Sequence, residues 1–253
     1  MLQFENHVVM VTGAGGGSGR AIAEKFLNEG AKVIALDLKA PNWKEPSDTF
    51  FPAGCDVSDE VQVQSVVDQY TTSIGCIDIL VNNAGIAIES PLADFDTNIW
   101  KKIFAVNVDG PFFCTRAVVK HLIDQKKPGR IIHIASIAGK NGFANSSGYC
   151  ASKAAVIGFT RALAAELGGY DITVNAVCPG SVATPMIEEV IQNISANTGM
   201  SKDEARTMME SGIPLKRFQQ PEDVAELVCF LASDAAKNIS GESIDLDGGV
   251  VRD

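Results

Sequence analysis

The sequence lacks several features that mark common classes of protein. It has six cysteines, but no two form a C-x-x-C pair and most lie among apolar residues, so they fit neither a disulfide framework nor a zinc site. The cysteines are Cys55, Cys76, Cys114, Cys150, Cys178 and Cys229. The three histidines, His7, His121 and His133, are far apart, which is more typical of core or surface residues than of metal ligands. We therefore expect no bound metal.

Positive charge is also scarce. Lysine and arginine number 21 against 31 aspartate and glutamate residues, which gives a formal net charge of -10 at pH 7. Nucleic acids and anionic membranes call for a basic face, so we expect neither as the main partner. No apolar run approaches the roughly 20 residues of a membrane-spanning helix, and the N-terminus lacks the pattern of a signal peptide. We expect a cytoplasmic protein, because reducing conditions preserve free thiols.

Linkers, low-complexity tracts and internal repeats are absent as well, so the 253 residues, 46% of them hydrophobic, predict one domain over positions 1–253. Short β-rich runs alternate with longer helical patterns, as in βαβ units around a parallel sheet. The predicted fold class is α/β: a single doubly wound domain with a seven-stranded parallel sheet and helices on both faces. The predicted strands are Val8 to Thr12, Lys32 to Asp37, Thr49 to Phe51, Ile77 to Asn82, Arg130 to Ala135, Ile172 to Cys178 and Glu242 to Leu246.

Apolar residues at helical spacing predict the helices between these strands. One stripe runs from Ile22 to Leu27 and is followed by Gly30 as a C-cap. Another stripe follows Ser58, which we expect to be its N-cap. A further helix is expected over residues 147 to 168.

Two segments depart from this rhythm. The stretch from Leu38 to Asp48 holds Pro41 and Pro46, which predicts a loop or a single turn. The amphipathic, methionine-rich segment from Pro185 to Phe218 predicts a lid over a substrate, with buried packing as the alternative.

Glycines crowd the junction between the first strand and the first helix. Gly13, Gly17 and Gly19 form the pattern G-x-x-x-G-x-G directly after Thr12. Such a turn lets the backbone approach a pyrophosphate, which free N–H groups and the helix dipole then stabilise. A plain flexible turn is the alternative, but the position between a strand and a helix favours a dinucleotide site.

Asp37 closes the second predicted strand, 20 residues after Gly17. A carboxylate at this place accepts hydrogen bonds from an adenosine ribose and repels a 2′-phosphate. The turn residues at positions 14 to 16 are Ala, Gly and Gly and supply no cation to neutralise such a phosphate, although Lys39 is nearby. The sequence therefore favours NAD(H) over NADP(H) as the cofactor.

Three polar residues suggest proton-transfer chemistry. Tyr149 and Lys153 are four residues apart, so on a helix the phenol and the ammonium lie on one face. Ser136 comes before them, at the end of a predicted strand. A neighbouring cation lowers the phenol pKa from its ordinary value of about 10 towards a range that suits general acid–base catalysis. The pair is a weak signal by itself, because this spacing occurs by chance on many helices.

With the glycine turn, these residues give the chain a resemblance to the short-chain dehydrogenase/reductase family, in its ordinary subfamily of chains of this length. The resemblance runs nearly end to end. It extends to Asp56-Val57, to Asn82-Asn83-Ala84-Gly85, to Asn107 between Val106 and Val108, and to Pro179-Gly180 with Thr184. Each motif alone has an ordinary reading as a turn or a strand end, but together their spacing is specific. The resemblance implies a Rossmann-like fold, an NAD-dependent oxidoreductase and a homotetramer.

The resemblance also implies roles for individual residues. The implied catalytic residues are Asn107, which would hold a water that links the lysine to solvent, Ser136 and Tyr149, which would bind the substrate oxygen, and Lys153, which would serve both phenol and nicotinamide ribose. The implied cofactor contacts are Gly13, Gly17, Ser18, Gly19, Asp37, Asp56, Val57, Asn83, Ala84, Gly85, Tyr149, Lys153, Pro179, Gly180, Val182 and Thr184. The expected substrate contacts are Ser136, Ala138, Asn141, Asn145, Tyr149 and Met186.

Two departures from the family pattern affect the cofactor site. Ser18 stands where the family usually has an apolar residue such as Ile. The connection from Leu38 to Asp48 is short and places Trp43 near the expected adenine edge, where we expect it to pack rather than to touch cofactor.

Other functions stay open beside an NAD-dependent dehydrogenase of secondary alcohols, polyols or sugars. One is a 3-oxoacyl-[acyl-carrier-protein] reductase that uses NADPH. Asp37 and the net acidity weigh against it, while Lys126, Lys127 and Arg130 leave a local basic patch for an acidic carrier. Another is a non-catalytic dinucleotide-sensing protein, against which the complete set of catalytic residues argues.

Overall fold

Seven strands form one parallel sheet in the computed structural model, which describes residues 2–251. The strands are β1 (Val8–Thr12), β2 (Lys32–Asp37), β3 (Phe50–Gly54), β4 (Ile79–Asn82), β5 (Gly129–Ile134), β6 (Ile172–Pro179) and β7 (Ser243–Leu246). Their order is β3-β2-β1-β4-β5-β6-β7, and each neighbouring pair is parallel.

Helices cover both faces of this sheet. Across residues 2–251 the α-helices are α1 (Gly17–Asn28), α2 (Glu60–Ile74), α3 (Thr97–Phe104), α4 (Gly110–Gln125), α5 (Ser147–Leu167), α6 (Pro185–Thr198), α7 (Lys202–Ser211) and α8 (Pro221–Ala232). A π-helical turn, Ala105–Asp109, joins α3 to α4. The predicted α/β class with its seven-stranded parallel sheet is confirmed.

The apolar residues of β1 show how the two faces are covered. Val9 and Val11 belong to a buried cluster with side chains of α1 and α8, whereas Val8 and Met10 belong to a second cluster with α2, α4 and α5. A strand that is apolar along its whole length suits a parallel sheet, because helices bury both of its faces.

The chain reverses its winding direction beside β1. It proceeds from β1 to β2 and β3 on one side and then returns to place β4 on the other side. In open parallel sheets this reversal opens a crevice at the carboxyl ends of the strands, where ligands bind. The glycine turn that follows β1 therefore lies at the crevice.

Several predicted boundaries differ from the structure. The strand expected at Thr49 to Phe51 is longer: Pro52 and Ala53 still pair with β2, because proline is tolerated on an edge strand. The strand expected from Ile77 begins at Ile79, although the Asp78 N–H already donates to the Val8 carbonyl (2.9 Å) and the Asp78 carbonyl accepts the Arg130 N–H (3.0 Å).

The N-cap expected at Ser58 was wrong. Asp59 caps α2, and its Oδ1 accepts the N–H groups of Val61 (2.9 Å) and Gln62 (3.2 Å). The Ser58 hydroxyl donates instead to Asp56 Oδ1 (2.7 Å). Ser and Asp are both good caps, and the turn before the helix decides between them.

Three further expectations concern the connection after β2, the cysteines and membrane-spanning helices. The connection from Leu38 to Asp48 contains no helix, as predicted. The six cysteines are free thiols. Within residues 2–251, no helix combines the length and the apolar character needed to cross a membrane.

Candidate active site

The glycine turn after β1 is folded so tightly that side chains are excluded. Gly13 and Gly17 have positive φ angles of 66° and 53°, which L-residues rarely adopt. A Cβ on Gly19 would lie 2.0 Å from the Gly13 carbonyl oxygen and 2.4 Å from Asn83 Nδ2. The turn and the start of α1 thus close on each other with no room for a methyl group at position 19.

The start of α1 leaves its first N–H groups available. Gly16 occupies the N-cap position and has no side chain to accept from them. No atom lies within 4 Å of the place where a Cβ of Gly16 would stand, so the turn faces open space there. Unpaired N–H groups at the positive end of a helix dipole fit a pyrophosphate. These residues therefore fit a dinucleotide.

Asp37 at the end of β2 is held by two backbone groups. Its Oδ2 accepts the Gly15 N–H and its Oδ1 accepts the Leu38 N–H, both at 2.8 Å. A carboxylate has about four lone-pair sites, so acceptor capacity remains for ribose hydroxyls. This geometry fits a ribose with free 2′- and 3′-hydroxyls.

Hydrogen bonds from the end of β4 fasten the glycine turn. Asn83 Nδ2 donates to the carbonyl oxygens of Thr12 (3.0 Å) and Gly13 (3.1 Å). The Thr12 hydroxyl accepts the N–H groups of Asn83 and Ala84, both at 3.0 Å. Thr12 is a functional residue that the sequence motifs did not predict, although a threonine that ends a strand before a glycine turn is a detectable signal.

Other expected cofactor contacts flank this turn. Thr184 Cγ2 would lie 3.3 Å from a Cβ on Gly17, so the segment after β6 reaches the glycine turn. Asp56 Oδ1 accepts the N–H of Ser58 (2.9 Å) and its hydroxyl, while Val57 is buried against Gly110. Their contacts with a cofactor stay predictions.

The stretch after β6 is also firmly placed. Pro179 is the last residue of β6, and a Cβ on Gly180 would lie 2.9 Å from Asp247 Cβ. Val182 forms a parallel bridge with Gln219. Ser18 belongs to the first turn of α1.

The predicted catalytic residues come together beyond the ends of β4 and β5. Ser136 follows β5, its Oγ accepts the Ala138 N–H (3.1 Å), and its side chain is close enough to Tyr149 to influence the phenol pKa. Lys153 is 5% exposed; its Nζ lies 5.7 Å from the Tyr149 ring centroid and donates to the Ile134 carbonyl (2.8 Å).

Asn107 joins this group through the π-helical turn. Its side chain donates to the Ile86 carbonyl (2.9 Å) and accepts the Ile86 N–H (2.8 Å). Its Nδ2 also donates to Ser152 Oγ (3.0 Å), and that hydroxyl donates to the Tyr149 carbonyl (2.8 Å). Turns of this kind are frequent at functional sites. Sequence reasoning missed Ser152, because a serine inside a helix gives no signal of its partner.

Gly85 shows how close Asn107 and Lys153 are. A Cβ on Gly85 would lie 3.3 Å from Asn107 Oδ1 and 3.4 Å from Lys153 Nζ. The glycine therefore lets the backbone after β4 pass between the amide and the ammonium. A water held by Asn107 stays a prediction.

The expected direction of the Tyr149 pKa was wrong for the protein without cofactor. Burial raises the pKa of the Tyr149 phenol above its ordinary value, and the hydrogen bond with Ser136 lowers it only in part. Burial also lowers the pKa of Lys153 from 10.5 to about 8. Proximity to the lysine therefore does not outweigh the loss of hydration around the phenol.

A neutral histidine lies beneath the lysine. Burial, with the nearby charge of Lys153, lowers the pKa of His133 to about 3. Its Nδ1 lies 3.1 Å from Asn82 Nδ2, which also donates to Thr115 Oγ1 (3.0 Å). His133 therefore belongs to a buried polar cluster, in agreement with its interpretation as a core residue.

The expected substrate residues all follow the carboxyl ends of strands. Ala138 is buried, Asn141 and Asn145 are exposed, and Asn145 has a φ of 62°. The Asn145 carbonyl accepts the Ser90 N–H (2.8 Å), which ties this loop to the chain after β4. Met186 in α6 is 47% exposed. Contact with a substrate stays a prediction for each of them.

The predicted lid is partly packed and partly exposed. Ile191, Ala205, Ile213 and Phe218 form a small buried cluster inside it. Its Met186, Met200 and Met208 side chains are exposed. The buried cluster is what the packing alternative expects, and the exposed methionines are what a lid expects. Both alternatives therefore stay open.

One class of oxidoreductases is defined by three features of this structure. They are the parallel sheet with this strand order, the glycine turn at its crevice, and the group of Ser136, Tyr149 and Lys153. The chain belongs to the short-chain dehydrogenase/reductase family, whose members use a nicotinamide dinucleotide. A family model described as Enoyl-(Acyl carrier protein) reductase matches residues 13–251.

Individual relatives differ in their reactions. The chain is 38% identical to the 3-oxoacyl-[acyl-carrier-protein] reductase FabG of Thermotoga maritima, over 99% of this chain and 100% of the relative. It is 37% identical to the meso-2,3-butanediol dehydrogenase of Serratia marcescens, over 98% and 96%. A solved variant of actinorhodin polyketide ketoreductase with NADPH superposes with a TM-score of 0.88 at 32% identity, over 96% and 97%.

Gly19→Ala should destabilise the protein, because the added Cβ would overlap the Gly13 carbonyl oxygen. Overpacking of this kind costs about 1–3 kcal/mol. Urea denaturation without cofactor measures the loss. Gly16→Ala is the matched control, since its Cβ meets open space. Equal stability of the two variants would contradict the tight fold of the turn.

Lys153 should make the stability of the cofactor-free protein rise with pH. Because its folded pKa is about 8 against an ordinary 10.5, the unfolded chain binds the extra proton between these values. The gain is at most about 3 kcal/mol. Urea denaturation at pH 7.5 and about 9.5 covers about 2 kcal/mol of it, read as the difference between the wild type and Lys153→Met because thiols also ionise on unfolding in this range. Lys153→Met should lack this gain, and parallel profiles would refute the assignment.

Proposed function

We propose that the protein is an NAD(H)-dependent dehydrogenase that interconverts a small secondary alcohol and its ketone. The observation that supports the chemistry is the placement of the Ser136 and Tyr149 hydroxyls beside the buried Lys153, whose Nζ lies 5.7 Å from the Tyr149 ring centroid. These groups provide two hydroxyl donors for a substrate oxygen and a cation nearby. Donors placed where an oxyanion develops stabilise the transition state of carbonyl reduction.

The Ser136 hydroxyl is poised to donate. Its oxygen accepts the Ala138 N–H, so its own proton is available to Tyr149 or to a substrate oxygen. Tyr149 donates its proton to the substrate oxygen in reduction and accepts one in oxidation. The nicotinamide, when bound, supplies or accepts the hydride.

The direction of the reaction and the pH dependence of its rate are linked through the protonation state of Tyr149. The raised pKa of the phenol keeps it protonated at neutral pH in the cofactor-free protein, which suits its role as an acid. In oxidation Tyr149 must first lose its proton, so the rate of alcohol oxidation rises with pH. Lys153 and Asn107 complete the path by which a proton leaves, as the family resemblance implies.

The preference for NAD(H) rests on Asp37. Its carboxylate faces the glycine turn and is fixed by the N–H groups of Gly15 and Leu38. A 2′-phosphate at this place would meet a negative charge, whereas ribose hydroxyls would find acceptors.

A small polyol or diol fits the substrate side best. The exposed amides of Asn141 and Asn145 follow β5 in the chain, and the exposed thioether of Met186 follows β6. Among the relatives, the Serratia marcescens enzyme is a butanediol dehydrogenase. The support is therefore both chemical and comparative.

A reductase of carrier-linked ketones is the second candidate, because the Thermotoga maritima relative is such an enzyme. The proposed basic patch is partly neutralised, since Lys127 lies 3.7 Å from Asp78 and Arg130 lies 3.8 Å from Asp234. Assays with free diols and sugars beside a carrier-linked 3-oxoacyl substrate separate the candidates. Activity confined to the carrier-linked substrate would replace the first proposal with the second.

We also propose a homotetramer that contacts itself through α4 and α5. Phe112 on α4 is 39% exposed and lies next to Phe159 of α5, with their ring centroids 6.3 Å apart. An exposed aromatic side chain such as Phe112, packed on the partly buried Phe159 of the next helix, is typical of an interface.

Tyr149→Phe should abolish measurable turnover, a loss of about 10²–10⁴-fold, because it removes the proton donor. NADH binding, followed by fluorescence titration, should remain. Tyr170→Phe is the control, because Tyr170 is an exposed tyrosine after α5. A Tyr149→Phe protein with wild-type kcat would defeat the mechanism, and a wild-type protein with no NADH-linked activity would favour the sensing alternative.

Asp37→Asn should weaken the selection of NAD over NADP. The neutral amide keeps the size of the side chain but removes the charge that repels a 2′-phosphate and strengthens bonds to ribose. We expect the ratio of kcat/KM for the two cofactors to fall about 10- to 100-fold. Asp48→Asn, an exposed carboxylate before β3, serves as control. Equal use of both cofactors by the wild type would contradict the proposal.

A further inference from the structure

Trp43 contacts the glycine turn from the connection that follows β2. It lies in the non-helical connection between β2 and β3 and is partly buried. Its indole Nε1–H donates to the Ala14 carbonyl (2.8 Å). Its ring centroid lies 4.6 Å from that of Phe50, and the Arg20 guanidinium lies 5.4 Å from the ring. The sequence predicted packing for Trp43, and the structure adds this hydrogen bond.

The bond falls on the part of the turn that most needs support. Ala14 is followed by three consecutive glycines, Gly15, Gly16 and Gly17. Glycine loses more conformational freedom on ordering than any other residue, so such a run is costly to hold in one shape. The turn has no side chains of its own in this run with which to fix itself.

Three hydrogen bonds tie Ala14 and Gly15, where this run begins, to the end of β2 and to the connection after it. The Ala14 N–H donates to the Leu36 carbonyl (2.9 Å). The Gly15 N–H donates to Asp37 (2.8 Å). The Trp43 indole supplies the third, and it is the only one of the three that comes from the short connection.

We propose that Trp43 is a positioning residue that holds the glycine turn in its cofactor-binding shape before the dinucleotide arrives. The inference rests on the proposed function in requiring that a dinucleotide binds at this turn. It does not require that Trp43 touches the cofactor. A turn that is ordered in advance binds more tightly, because less freedom is lost on binding.

Two substitutions separate the hydrogen bond from the packing. Trp43→Phe keeps an aromatic ring for Phe50 and Arg20 but removes the N–H donor. Trp43→Leu removes both. Trp100→Phe is the matched control, because Trp100 lies in α3, where its ring stacks on that of Phe104 (4.7 Å).

The binding test uses NADH and ADP-ribose as probes in isothermal titration calorimetry, which needs no tryptophan signal. ADP-ribose lacks the nicotinamide and therefore reports on the turn without the catalytic group. Trp43→Phe should weaken both probes by about five- to tenfold, the loss that one hydrogen bond accounts for, and leave kcat at saturating cofactor within about twofold. Trp100→Phe should bind both as the wild type does.

Amide hydrogen exchange of the glycine turn in the ligand-free protein gives a second readout. Exchange should be faster in Trp43→Phe than in the wild type and unchanged in Trp100→Phe. Wild-type binding and exchange in Trp43→Phe, with losses confined to Trp43→Leu, would overturn the inference in favour of packing. A wild-type protein that binds neither probe would instead overturn the proposed function itself, whatever the variants do.

Discussion

The Thr12 hydroxyl accepts hydrogen bonds from the N–H groups of Asn83 and Ala84, and these bonds hold β1 and β4 together where the winding of the sheet reverses. Both halves of the candidate site depend on this junction. The glycine turn leaves β1 directly after Thr12, and Asn83 returns two bonds to the carbonyls of that turn. On the other side, the chain after β4 continues to Gly85, which passes between Asn107 and Lys153. A shift of β4 relative to β1 would therefore disturb cofactor and catalytic groups together.

Burial sets the electrostatics of the catalytic group. Lys153 gives up hydration and finds a partner in the Ile134 carbonyl, and its pKa falls to about 8. For Tyr149 the same burial raises the pKa, and among the groups around it Ser136 acts to lower it. The phenol is therefore set as an acid in the cofactor-free protein. The lysine influences the phenol less than the sequence spacing alone suggests, because desolvation acts on both groups at once.

Sequence predicted those features that depend on local pattern. Apolar runs such as Val8 to Thr12 gave their strands correctly, since a strand covered on both faces is apolar throughout. Tyr149, Lys153 and Ser136 were predicted as a group and lie together. Features that depend on distant contacts were missed. Ser152 binds Asn107, 45 positions earlier, and Thr12 binds residues 71 and 72 positions later. The spacing of these residues along the chain does not predict such hydrogen-bonded pairs, because only the fold brings the partners together.

Asp37 shows why cofactor choice and turn geometry are coupled in this protein. One carboxylate oxygen holds the Gly15 N–H, and the whole group presents its charge where the ribose hydroxyls are expected. Any change of this side chain that alters the charge also alters a bond to the glycine run. The Trp43 indole and the Leu36 carbonyl hold Ala14, one residue before, independently of that charge. Selectivity at Asp37 can therefore vary without release of the whole turn, because the bonds at Ala14 do not depend on the carboxylate.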